Sequence, residues 1–507
     1  MESDEIGYKK LTIAVIIIGV ILRFSLAPIY SVSGDACWQL SASKFIAENK
    51  RLPLYENLGR DEPFWTPPLF HILSALMYIG AVPFGNAASN FAIKLLSPIL
   101  GSLTLLLAFL ICKKLLDDKT AFYSMIFVTF LPIFVDYHVF GYIDGTVTFF
   151  VVASIYFALC KRCFISSVFA GLAGLSKYNG LFVVPLLLFM AFENSKNKRL
   201  LCKRVALIIT IPLIISAPYI ARNYANFKNP IWPFANFLFN GKDTSSFESI
   251  DVKSFKLGNI FSVNSVVFNY LAIFGVPDGN PGNIFFFNIA FIKLLAALWL
   301  FGTLLFVLPF LKSLKASYDK EKQNRRFFLV WIFSYAAVLV LYIGNAGFSS
   351  ARFFLPAIPA LGMLYGVGCK NMIETKKAAK FRISPLFFNI ILFSIIIGLV
   401  AAECTKIYLA SREWNRYGDD FDWIRKNTKK DDLIIPGAQC LYYHTQRGTL
   451  KGIAENLKNA NYVFVNKNFN LERRSIASKE ILEQIKKNNY RKVYENKETG
   501  TRIYRIN

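Results

Sequence analysis

The chain has 507 residues, of which 54% are hydrophobic, 16% aromatic and only 18% charged, with 49 phenylalanines and a mean hydropathy of +0.39. A soluble protein carries about 25% charged residues, and this much apolar surface needs lipid to hide it. The formal net charge of +25 raises nucleic-acid binding, but the Lys and Arg residues cluster in short groups between apolar runs, the distribution of a membrane topology.

Crossing ~30 Å of hydrocarbon takes about 20 apolar residues. Segments 10–29, 91–112, 120–140, 145–160, 164–176, 180–192, 204–221, 286–311, 327–344, 352–368 and 384–406 meet or approach that length, about eleven spans. The run Leu11–Leu22 follows Lys9 and Lys10, but no A-x-A site closes it, so it reads as a retained span and not a signal peptide. Basic clusters recur at Lys113, Lys114 and Lys119, at Lys161 and Arg162, at 196–204, at 312–326 and at 370–382. The intervening short loops hold almost none, Lys177 and Arg352 excepted. The positive-inside alternation is clean if 68–84 lies in the outer interface as a helix and does not cross. The N-terminus is then cytoplasmic, and segments 30–90 and 222–285 and the C-terminus are outside.

After a membrane domain over 1–410, composition shifts sharply at 411–507. Charged helical stretches, Phe421–Thr428 and Ile476–Lys487, alternate with β-like runs at Leu433–Ile435, Tyr462–Val465, Lys492–Tyr494 and Arg502–Ile506. The tail reads as a small extracytoplasmic α/β domain. The eight cysteines contain no CxxC pair, and Cys112, Cys160, Cys163, Cys202 and Cys369 fall near inner ends of spans, so neither a disulfide framework nor a structural zinc site is expected.

Polar residues at membrane depth are expensive, and here they gather on the outer side. Asp35 follows Gly34 where a helix begins; it reads equally as a first-turn carboxylate and as a reactive one. Asp136 and His138 have a metal-ligand spacing that is weak alone, with packing as the other reading. Asp144 opens the next span after Gly141 and Tyr142, as a cap or as an acid. Lys177 breaks two short spans, where an anion such as phosphate, or a lipid headgroup, is its natural partner. Arg222 ends one span and Arg352 begins another, each a phosphate ligand or an interface anchor. In Asp61-Glu62-Pro63-Phe64-Trp65-Thr66-Pro67-Pro68-Leu69-Phe70-His71 the prolines stiffen the approach to the interfacial helix, and His71 reads first as packing. Carboxylates opposite several cations at one face suit glycosyl transfer from a lipid phosphate: one takes a proton, the others steady the leaving phosphate.

Asp35, Pro67-Pro68-Leu69, Asp144, the stretch Gly171–Gly180, Pro218–Arg222 with Asn229-Pro230, and Arg352–Pro356, in that order, resemble the GT-C glycosyltransferases that use polyprenyl- or dolichyl-phosphate sugars. The branch of protein O-mannosyltransferases and lipid A aminoarabinose transferases is the most similar. The resemblance covers about residues 10–370. It implies a polytopic helical fold, a lipid-phosphate-sugar donor, a glycan, protein or lipid acceptor, and inverting transfer with Asp35 as base and Asp144 as second acid. Lys177, Arg222 and Arg352 would meet the phosphate, with Tyr142 and His71 as further substrate contacts. No cofactor is required by it; a divalent metal stays open. Relatives often place a charged residue or histidine before Pro-Pro, where this chain has Trp65-Thr66, and the tail has no Trp-Trp-Asp tripeptide. The rival reading is a multispan transporter or lipid flippase, against which stand the missing internal symmetry and the long outer segments.

Overall fold

The computed structural model describes residues 2–56, 58–59, 63–195, 197–239, 255–274, 307–313, 319–346, 351–374, 385–436, 439–450, 452–466 and 479–506. The expected span 286–311 therefore lies outside the described residues except for its end, as do Asp61, Glu62, Ser349, Ser350 and much of 222–285.

The described helices, in chain order, are α1 Glu2–Ile29, α2 Asp35–Asn49, α3 Leu69–Ala81, α4 Asn86–Leu115, α5 Asp118–Phe130, α6 Pro132–Asp136, α7 Ile143–Leu159, α8 Cys163–Ser176, α9 Val183–Glu193 and α10 Lys198–Phe227. There follow α11 Asn236–Phe239, α12 Leu257–Phe261, α13 Val263–Ile273, α14 Val307–Ser313, α15 Asp319–Ala346, α16 Ile358–Glu374, α17 Pro385–Asn415, α18 Gly418–Asn427, α19 Gln439–Thr445 and α20 Lys479–Lys487. Among the described residues six helical stretches are long and apolar enough to cross a membrane: Gly7–Ile29, Asn86–Leu115, Lys198–Phe227, Asn324–Gly344, Ala351–Glu374 and Phe387–Asn427. Leu69–Phe84, Ile143–Leu159, Cys163–Ser176 and Tyr178–Glu193 are shorter apolar helices. The protein is a multi-pass membrane protein. At 1.5 Å per residue, the 13 residues of α3 extend about 20 Å, too short for a ~30 Å core.

One expected span, 120–140, is two helices. Asp117 caps α5 by accepting from the Thr120 amide at 3.0 Å, and Pro132 ends it, because the residue before a proline is forced out of the helical region. Leu131 accordingly sits at φ −63, ψ 121 before α6 starts.

The chain forms two compact units. The first comprises Met1–Leu26, Ser97–Val139 and Ile143–Thr405. Small residues let its helices approach closely, as in membrane bundles generally. A Cβ on Gly362 or Gly366 of α16 would strike Val128 or Ser124 of α5. A Cβ on Gly171 of α8 would meet Ile215 at 2.8 Å and Pro212 at 3.0 Å, both in α10.

The second unit comprises Ala27–Leu96, Phe140–Tyr142 and Lys406–Asn507. Its sheet holds β1 Leu433–Ile435, β2 Gly448–Thr449, β3 Tyr462–Asn466, β4 Arg491–Asn496 and β5 Thr501–Arg505 in the order β2-β1-β3-β5-β4. β1 is parallel to β2 and β3, with Ile434 opposite Tyr462, whereas β5 is antiparallel to β3 and β4. Ile435, Leu457, Ala460, Val463, Ile481 and Ile485 form its core. The buried Asp420 carboxylate is held by Tyr494, Asn496, Thr499 and Thr501, which gives it a structural duty.

Candidate active site

In the first unit the polar groups collect where α7 begins and α8 ends. Asp144 lies in the first turn of α7 and is 2% exposed. Gly145 beside it allows the turn to fold onto Tyr137, whose carbonyl a Cβ there would strike. Lys177 closes α8 in an extended conformation, φ −161, ψ 141. The next turn returns so tightly that Gly180 lies against the Ala173 carbonyl, with no space for a side chain. That geometry brings Lys177 Nζ to 2.6 Å from Asp144 Oδ1 and 4.2 Å from the centre of the Phe353 ring. The cation that the sequence offered to an external anion thus has an internal carboxylate. Among the described residues the other oxygen, Asp144 Oδ2, is buried and receives no hydrogen bond. An unsatisfied buried carboxylate oxygen is costly in a folded protein and suits acceptance from a ligand hydroxyl.

Arg352 stands beside Phe353, its guanidinium 5.8 Å from that ring, in a segment anchored by Trp331 Nε1–H donating to the Pro356 carbonyl at 2.9 Å. Asp144, Lys177 and the Arg352–Phe353 pair are therefore brought together. Arg222 belongs to a neighbouring network. It donates to Asn223 Oδ1 at 3.1 Å and stacks over Tyr219 and Phe227. Asn223 is fully buried and donates to the Tyr178 hydroxyl, which donates to the Trp232 carbonyl. Tyr178 follows Lys177 directly, so one turn connects the two cation sites.

Asp136 and His138 are both buried. His138 Nδ1–H donates to the Phe134 carbonyl at 2.6 Å, and its ring packs against Gly101 and Gly145. Among the described residues no group of three or more His, Cys, Asp or Glu side chains converges in a way that could hold a metal ion.

In the second unit Gly34 adopts φ 58, ψ −143, a conformation that suits glycine, and places Asp35 at the start of α2. A Cβ on Gly34 would lie 3.0 Å from the Tyr142 hydroxyl, so the sequence-singled Tyr142 abuts this turn. Asp35 is partly exposed, while Ala36–Lys44 behind it is buried throughout. His71 is fully buried: Nδ1–H donates to the Gln39 carbonyl at 3.0 Å, and Phe64 and Trp38 meet the ring edge-on. It joins α3 to α2 by packing.

Sequence reasoning missed what lies next to Asp35. Cys37 is disulfide-bonded to Cys440, a single bond outside the five cysteines on which the expectation of no disulfide framework rested. The readable signal was that both lie in segments assigned to the outer side, where disulfides persist. His444, one turn after Cys440 on α19, directs Nε2–H to the Val32 carbonyl at 3.2 Å. Its ring is stacked on Phe421 at 4.9 Å and on Trp414 at 5.9 Å. Burial pushes its pKa down to about 4, helped by Lys44, Arg425 and Lys94 and opposed by the Val32 carbonyl. The neutral ring with the proton on Nε2 is the form this contact requires.

A family profile described as Dolichyl-phosphate-mannose-protein mannosyltransferase matches residues 66–221. Among solved structures, ArnT from Cupriavidus metallidurans bound to undecaprenyl phosphate is similar over 98% of this chain and 98% of its own, at 12% identity and TM-score 0.63. The oligosaccharyltransferase AglB from Archaeoglobus fulgidus, in complex with an inhibitory peptide and a dolichol-phosphate, is similar over 98% of this chain and 74% of its own, at 15% identity and TM-score 0.56. The arabinofuranosyltransferase AftD from Mycobacteria is similar over 98% of this chain and 40% of its own, at 11% identity and TM-score 0.54. No curated protein sequence matches the chain. The chain has the GT-C-like helical membrane fold of these structures, with a small C-terminal sheet.

Proposed function

We propose that this protein is a glycosyltransferase that moves a sugar from a polyprenyl- or dolichyl-phosphate donor to a glycan, protein or lipid acceptor at the outer face of the cell membrane. The observation that carries the reading is the buried Asp144–Lys177 pair, with Asp144 Oδ2 unsatisfied among the described residues, inside the stretch matched by the mannosyltransferase profile. In this reading the Asp35 carboxylate removes the proton from the acceptor hydroxyl as its oxygen attacks the anomeric carbon. The bond from that carbon to the phosphate oxygen breaks on the opposite side, inverting the centre, and the lipid phosphate leaves with the bonding pair. Arg222 and Arg352 stabilise the charge that develops on it, and Asp144 Oδ2 accepts from a sugar or acceptor hydroxyl. Lys177 fixes Asp144 and shares its positive charge with the phosphate. The outward orientation is supported by the basic clusters of the sequence and by the Cys37–Cys440 disulfide, a bond at home outside the cytoplasm.

The test is transfer from labelled polyprenyl-phosphate sugars in membranes containing the wild type or Asp35→Asn. Transfer by the wild type and a loss of at least about 100-fold in the variant are expected, the usual weight of a general base. Substantial transfer by Asp35→Asn would remove Asp35 from the role of base.

A further inference from the structure

The backbone around Asp35 is fastened to the C-terminal part of the chain residue by residue. Four positions before it, the Ser31 amide donates to Ser411 Oγ at 2.9 Å and the Ser31 hydroxyl to Asn415 Oδ1 at 2.7 Å. Three positions before it, the Val32 carbonyl accepts from His444. Two positions after it, Cys37 is covalently joined to Cys440. Between these ties, Tyr30 holds Ser33, its hydroxyl accepting from the Ser33 amide at 3.1 Å. Cys440 and His444, four residues apart, share one face of α19. The His444 ring is stacked on Phe421 and Trp414. A surface α/β domain needs only one anchor to stay attached, whereas these ties converge on a single strip of seven residues, 31–37, with Asp35 inside it.

We propose that Cys440 and His444 of the C-terminal domain are positioning residues for Asp35, so that the domain takes part in the reaction by aiming the carboxylate. The inference rests on the proposed role of Asp35. A displacement of about 1 Å in a reacting group can cost on the order of 100-fold in rate, so loosening the strip lowers turnover without touching the donor.

Transfer is measured with the full chain in lipid nanodiscs and the same labelled donor, alongside amide hydrogen exchange over 31–37. His444→Ala should lower kcat about tenfold with donor KM changed less than about twofold, and His444→Gln, which keeps an N–H donor, should recover most of it. Dithiothreitol, oxidised to its cyclic disulfide as Cys37 and Cys440 become thiols, should lower kcat of the wild type but leave the Cys37→Ser/Cys440→Ser variant as it was. Reoxidation should restore the wild type. Exchange at 31–37 should speed up in each loosened form, a readout that needs no activity. Wild-type kcat and unchanged exchange in His444→Ala and in the reduced protein overturn the proposal, as does a loss that merely follows the unfolded fraction and that Gln does not rescue. The two readings fail separately. Active Asp35→Asn removes the base, whereas inactive Asp35→Asn beside fully active His444→Ala removes only the positioning.

Discussion

The two units handle a carboxylate in opposite ways. Asp144 begins a buried helix, and its charge is met at 2.6 Å by Lys177. Asp35 begins a helix at a partly exposed position, and there the backbone is secured, by a disulfide and by hydrogen bonds from Ser31 and to Val32. Where water is scarce, a charge must be neutralised by a neighbour before anything else is asked of it. Where water is at hand, charge costs little, and the expensive quantity is a fixed direction. The first solution is electrostatic and the second conformational, and each should break in its own way.

The largest expected difference is in activity. Asp35→Asn should abolish transfer while leaving the thermal midpoint within a few degrees of the wild type, checked by thermal unfolding in detergent beside the transfer assay. Next come the pair variants. Asp144→Asn or Lys177→Met alone leaves a buried charge uncompensated and should cost about 3–5 kcal/mol. The double variant should recover much of that loss, a coupling readable from a double-mutant cycle by denaturant unfolding. An equal cost in single and double variants would show that the pair is held by its surroundings and not by itself. Replacing both Cys37 and Cys440 by Ser should cost about 2–4 kcal/mol in the second unit and little in the first, resolved by hydrogen exchange. Gly34→Ala should cost about 1–3 kcal/mol, since its backbone conformation excludes a side chain and Tyr142 lies against the missing Cβ.

A pH dependence confined to the second unit is expected as well. With the folded His444 pKa at about 4 against an ordinary 6.5, the unfolded chain binds a proton that the folded chain refuses between those values. Stability of this unit should therefore fall as pH is lowered from about 6.5 to about 4, and that limb should be missing in His444→Gln. The cations facing the ring, Lys44, Arg425 and Lys94, push in the same direction.

The legible parts of the molecule were those written as periodicity. The runs Leu433–Ile435 and Tyr462–Val465 became β1 and most of β3, and 68–84 became the apolar helix α3 with a short helical turn after it. Pro132, inside an otherwise continuous apolar run, is a readable break, and it divides 120–140 into two helices. Site geometry was less legible because it depends on distances between remote positions. Asp144 and Lys177 were both singled out, but a spacing of 33 residues says nothing about their pairing. A search for closely spaced cysteines is blind to a bond between Cys37 and Cys440, and His444 sits in no motif that would mark it. The turn at Gly34 was visible as a glycine before an acid, but the residues that hold it lie almost at the other end of the chain.

That disulfide closes a covalent ring whose two cysteines stand 403 positions apart. A single cut anywhere in the peptide chain between them leaves one molecule, which falls into two pieces only when a reductant is added. A protease cutting a loop within that ring would then leave the electrophoretic size of the unreduced protein unchanged. Asp35 lies just before the ring begins, so the chain that carries it would stay linked to the segment around Cys440 even after all the connecting spans had been severed once.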